Sequence, residues 1–202
     1  MIKYNGMKAE KEAGRQLPPG GYVCNIVNIE NREGDSKNGH WKALVISFDI
    51  YEGDYAGFFT DNYKNQNPKE GEEKKWKGNI FVSIPLDDNS DMDEMRKRQF
   101  NNLLYVLEES NEGFSFNGDE STMKGKLAGL LFRREEWEYM DKSGWATRAF
   151  KFVTADTIRN GDFATPEDKP LKERHEIATA PANAQDFMNI PDNMDDEGLP
   201  FK

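Results

Sequence analysis

The most constraining feature of this chain is the stretch WKALVISFDIY at residues 41–51, where side chains alternate with a period of two. Successive residues of a strand face opposite ways, so Leu44, Ile46, Phe48 and Ile50 fall on one side and Trp41, Val45, Ser47 and Tyr51 on the other. A face of four large aliphatic and aromatic residues must be covered, which makes this segment the expected wall of a β core. Shorter segments of the same kind precede and follow it. Tyr22–Ile29 alternates after the chain-turning LPPGG at 17–21, AGFFTDNY at 56–63 reads as an aromatic-rich strand, and NIFVSIP at 79–85 places Ile80, Val82 and Ile84 inward and Phe81 outward.

A helix is expected next. Ser90 or Asp91 can accept from the free N–H groups of its first turn, Asp93 and Glu94 suit the helix dipole, and Met92, Met95, Phe100, Leu103, Leu104 and Leu107 recur at helical spacing. LAGLLF then reads as a buried strand. EEWEY, DKSG and WATRAFKFV form a hairpin with Gly in its turn, and TADTIRNG is the last ordered piece. About three meandering strands, one helix and two or more further strands make the expected fold mainly β. The layout is that of a five-stranded OB-like barrel with one helix between strands 3 and 4, although a sandwich or another small barrel satisfies the same periodicity.

Composition divides the 202 residues. All four tryptophans lie before residue 146, while Pro166, Pro170, Pro181, Pro191 and Pro200 make five of the nine prolines. The division expected is a flexible N-terminal arm at 1–16, an OB-like domain at 17–161, and a disordered acidic tail at 162–202 that buries too little apolar surface to offset its ordering entropy. No apolar run reaches the roughly 18–20 residues of a membrane span and the N-terminus lacks a signal-peptide core, so a cytoplasmic location is expected. Cys24, the single cysteine, sits in an apolar strand and reads as a small buried hydrophobe.

Nothing points to an enzyme. His40 and His175 stand outside any HExxH-like pattern, the glycines do not form a phosphate-cradling loop, and no cofactor or metal is expected. DDNSDMDE at 87–94 fails as a calcium loop, because Met92 stands where the sharp turn needs Gly and Arg98 where a bidentate Glu belongs.

The positive signal is aromatic residues interleaved with bases. Bases of single-stranded nucleic acid stack on aromatic faces while Lys and Arg follow the phosphates. Lys64, Lys74, Lys75 and Lys77 surround Trp76, and Arg133 and Arg134 lead into Trp137 and Tyr139, followed across the turn by Trp145, Arg148 and Lys151. By strand parity Trp41, Phe81, Trp145 and Lys151 point away from the core. These fourteen residues are the candidate nucleic-acid contacts. The net charge of −10 opposes that reading, and without residues 186–202 the remainder still holds 32 acids against 26 bases. A local basic stripe is therefore required. A protein-interaction or DNA-mimic module, and a metal-dependent nuclease built from scattered carboxylates, are the competing readings.

The tail ends in DNMDDEGLPFK, where Asp195, Asp196 and Glu197 precede Leu199, Pro200 and Phe201. This resembles the acidic tip of bacterial-type single-stranded DNA-binding proteins, which implies recruitment of replication and repair proteins and competition with DNA for the barrel. In that family the chain ends at the Phe, whereas Lys202 follows it here. The blocks LPPGGYVCNIVNIEN, LVISFDIYEGDYAGFFT and MKGKLAGLLFRREEW also resemble phage and prophage single-stranded DNA-binding proteins. That resemblance implies an accessory factor of phage DNA replication or recombination in the bacterial host cytoplasm; association of OB-like domains to multiply their weak grooves makes a homo-oligomer the expectation, and no membrane partner is expected.

Overall fold

A computed structural model of the protein describes residues 16–36, 39–68, 70–139 and 142–171. Its order is β1 (Gly20–Ser36), β2 (Gly39–Ile50), α1 (Phe58–Asn65), β3 (Asn79–Ser83), α2 (Asp91–Ser110), a 3-10 turn (Glu120–Met123), β4 (Leu127–Tyr139), β5 (Lys142–Val153) and α3 (Ala155–Arg159). All strand pairs are antiparallel, in the order β3-β2-β1-β4-β5. The protein is thus mainly β, with the OB order of strands and α2 between β3 and β4. The two edge strands, β3 and β5, are not hydrogen-bonded to each other, so the sheet is open and not a closed barrel.

One face of the sheet carries the core. Cys24 and Ile26 of β1, Leu44, Ile46, Phe48 and Ile50 of β2, Ile80 and Val82 of β3, and Ala128, Leu130 and Phe132 of β4 are buried there against Leu103, Val106 and Leu107 of α2 and Met123. Fully burying each large side chain is worth roughly 1.5–3 kcal/mol. Burial, followed by the nearby Asp49 charge, pushes the Cys24 thiol well above its ordinary pKa. Ser90 caps α2 by accepting from the Asp93 amide at 3.1 Å. Asp93 is wholly buried and reaches back to the amides of Leu86 (2.6 Å) and Asp87 (3.1 Å).

Pairing is staggered. β1 meets β4 only through Gly20–Asn25 and Leu127–Phe132, after which each strand continues in a hairpin with its other neighbour. Two arms therefore leave opposite ends of a short splice, β1 with β2 at one end and β4 with β5 at the other.

Several expectations change, among them the DKSG turn, since Lys142, Ser143 and Gly144 belong to β5. Residues 56–63 are not a strand: Phe58–Asn65 is helical, because Gly57 supplies a positive φ of 76° and buried Asp49 accepts from the amides of Phe59 (2.9 Å) and Thr60 (3.2 Å). Phe59 is thereby turned into the core against Phe48 and Phe132. LAGLLF and EEWEY are one continuous strand, β4. Structure also extends past residue 161. Lys169 bridges to β4, donating its amide to Arg134 O (2.8 Å) and accepting from the Glu136 amide (2.9 Å), and the Leu171 amide donates to the Glu136 carboxylate (3.0 Å). The expected N-terminal arm lies outside the described residues up to residue 15, and the expected tail beyond Leu171.

Candidate nucleic-acid interface

The face of the sheet opposite the core is the outer face. On the β1–β2 arm and β3, register sets three rows there: Gly34 beside Trp41, Arg32 beside Ala43 and Ser83, and Glu30 beside Val45 and Phe81. Trp41 and Phe81 are half-buried on this surface. The indole of Trp41 covers Gly34, where a β-carbon would come within 3.0 Å of the ring. Arg32, which the sequence pattern does not single out, lies between the two aromatic residues and is held by Glu30 at 3.1 Å.

The β4–β5 arm carries a second group. Arg133, Trp137, Tyr139, Arg148 and Lys151 share the outer face. Arg133 is held by Glu135 at 2.8 Å and lies 4.4 Å from the centre of the Phe150 ring. Trp145 departs from its expected side. A bulge sets Lys151 opposite Leu131 but Ala149 opposite Phe132, so Phe150 is an extra residue and every side chain before it changes face. Trp145 is consequently on the core side of the sheet, beyond the core itself, 47% exposed, with the Arg134 guanidinium 5.6 Å from its ring. Arg134 is also paired with Asp168, its Nε donating at 2.9 Å. That contact raises the pKa of Arg134 and lowers that of Asp168.

The outer face is not continuous between the arms. α3 lies over its centre, with Ile158 against Gly21 and Gly129 and Phe163 against Gly21. Arg159 pins the helix by donating to the Glu52 carboxylate and to Asp156. Hydrogen bonding from Arg159 lowers the pKa of Glu52.

The third group is at the junction of α1 and β3. Lys64, Lys74, Lys75 and Lys77 are exposed, while Trp76 is half-buried against the core and donates its indole N–H to Gly78 O at 3.1 Å. The fourteen candidates are therefore distributed over three places, with Trp145 and Arg134 on the opposite face from the rest of their arm. Asp195, Asp196, Glu197, Leu199, Pro200 and Phe201 lie outside the described residues.

A cleft of about 670 Å³ beside the β1–β2 arm is lined by His40, Lys42, Asp87, Asp88 and Arg96 among others. Its cations already face carboxylates, Lys42 3.2 Å from Glu33 and Arg96 3.7 Å from both Asp88 and Asp93, and the His40 ring lies 3.0 Å from Asp35. Among the described residues no three His, Cys, Asp or Glu side chains converge as a metal site, and no helix is long and apolar enough to cross a membrane. Comparison of the chain with protein-family models and with curated proteins returns no match.

Proposed function

We propose that this protein binds single-stranded DNA with little sequence preference, as an accessory factor of phage DNA replication or recombination in the bacterial cytoplasm. The observation that carries the reading is the pair Trp41 and Phe81, half-exposed on the outer face of β2 and β3 in a sheet with OB strand order. The β2–β3 face and the loops at the two arm tips are where OB domains take oligonucleotides. Bases stack on the two rings, and Arg32 together with the outer-face cations of the β4–β5 arm, Arg133, Arg148 and Lys151, meets phosphates. The acidic tip from Asp195 to Phe201 recruits partner proteins, as its resemblance to the bacterial tips implies.

The test is a titration with labelled oligothymidine at two salt concentrations. Quenched tryptophan emission and an affinity that falls steeply with salt are the supporting result. No binding at low salt overturns the proposal. Removal of residues 186–202 should tighten binding where the acids compete for the same surface.

One observation favours a second reading, a module that binds a protein or mimics DNA. Arg32, Lys42, Arg133 and Arg134 are each paired with a carboxylate of the same chain, and the whole carries a net charge of −10. Retention of one basic partner protein together with failure of every oligonucleotide would select it.

A further inference from the structure

The helix that replaces the expected strand at 56–63 creates a site outside the sheet. Tyr63 lies one helical turn after buried Phe59 on the same face of α1, and there it is 38% exposed. Its ring centre is 5.9 Å from that of Trp76, with the planes inclined at 49°. Trp76 is fixed by its core contacts and its bond to Gly78 O, so Tyr63 rests on a rigid support.

The loop after α1 is folded back onto this support. Gln66 donates to Lys75 O at 2.7 Å and accepts from the Lys75 amide at 2.9 Å, and Lys74 Nζ donates to Lys64 O at 2.7 Å. Lys74 Nζ thereby lies 5.9 Å from the centre of the Tyr63 ring. Lys64 adjoins Tyr63 in the chain and Lys77 adjoins Trp76. Glu70, Glu72 and Glu73 share the loop, yet among the described residues no carboxylate is paired with Lys64, Lys74 or Lys77. Among the described residues they face no carboxylate, unlike Arg32, Arg133 and Arg134.

The site is continuous with β3. Asn79 donates to Trp76 O at 3.0 Å and shares the outer face with Phe81, two residues further along. We infer that Tyr63, with Lys64, Lys74 and Lys77, is a second station for single-stranded nucleic acid. Tyr63 takes a base and the lysines take the phosphates of the strand as it runs off β3 past Asn79. This inference rests on the function proposed above and adds to it a site reached only by longer strands.

The experiment uses the full chain with oligothymidines of about 6 and about 20 nucleotides, which bracket most of the roughly 4–16 covered by one OB domain. Tyr63→Ala should weaken binding of the long strand by about tenfold and leave the short one nearly unchanged, with Tyr63→Phe retaining wild-type affinity. The double variant Lys64→Gln, Lys77→Gln should lower the salt slope on the long strand by about 1–2. Far-UV circular dichroism and thermal unfolding verify that each variant is folded. Wild-type binding with unchanged variants overturns this site alone, and equal losses on both lengths overturn its place at the end of the track. Failure of the wild type to bind either strand overturns the underlying function and the site together.

Discussion

The indole of Trp137 lies over Gly144 on the neighbouring strand, with three ring atoms 3.1–3.2 Å from the place a β-carbon would occupy. Trp41 covers Gly34 in the same way on the other arm. In each hairpin a glycine gives up its own side chain so that an indole can settle on the strand surface, leaving the ring's other side turned outward. A side chain at the glycine must lift the ring. Gly34→Val is expected to displace Trp41 and weaken oligothymidine binding by about 5–50-fold, the loss of one stacked base. Binding titrations paired with near-UV circular dichroism check it, and a shifted Trp signal with unchanged affinity removes Trp41 from the binding surface.

Asp168 occupies the guanidinium of Arg134, which under the proposed function would otherwise be open to a phosphate. Asp168→Asn is expected to strengthen single-stranded DNA binding a few-fold and to steepen its salt slope by about 1, because one more cation becomes available. Arg134 holds the Asp168 carboxyl below its usual range, so in the wild type the pair persists throughout pH 5–8. Affinity measured across that range should show no step from this pair.

Gly129 and Gly21 both lie under α3, but their surroundings predict different costs. A β-carbon at Gly129 would stand 2.6 Å from Thr154 O and 2.9 Å from Val153 O, which are backbone atoms, whereas at Gly21 the nearest atoms are the ends of the Ile158 and Phe163 side chains. Gly129→Ala is therefore expected to destabilise the fold by about 1–3 kcal/mol in urea unfolding, and Gly21→Ala by less. Equal losses would mean that α3 adjusts as a unit.

Asp93 is expected to make the fold acid-sensitive. Hydrogen bonding from the Leu86 amide, with a further contribution from Lys97, lowers its pKa in the folded state. Protons therefore bind the unfolded chain more readily. The stabilisation is present above the ordinary carboxylate range, about pH 4, and is lost as pH falls through the lower folded value. Asp93→Asn should flatten the dependence of the unfolding midpoint on pH below about 5, and a midpoint with the same slope as wild type would assign the acid sensitivity elsewhere.

Much of the fold is legible in the residues because it depends on local periodicity. The alternation at 41–51 identifies the buried face of β2, and the spacing from Met92 to Leu107 together with Ser90 identifies α2 and its cap. The errors arise where distant groups decide. FFTDNY has the aromatic content of a strand, but it coils because Asp49, ten residues away, offers its carboxylate to the Phe59 amide. Parity places Trp145 with Lys151 until one extra residue, Phe150, reverses the count. The docking of Lys169 depends on a β4 edge that β1 leaves unpaired, a consequence of stagger and not of any motif. Tyr63 becomes visible as a surface residue only after α1 is known.

The short overlap of β1 with β4 also determines how this chain must assemble. Each hairpin brings together partners close in sequence, but neither encloses the core until Cys24 finds Ala128, roughly a hundred residues away. That encounter closes a long loop before much apolar surface is sealed from water, so the rate of folding should be governed by this one meeting of remote segments. The six residue pairs of the seam join the two hairpins, and the shared core on one side and α3 on the other close over that seam once it has formed.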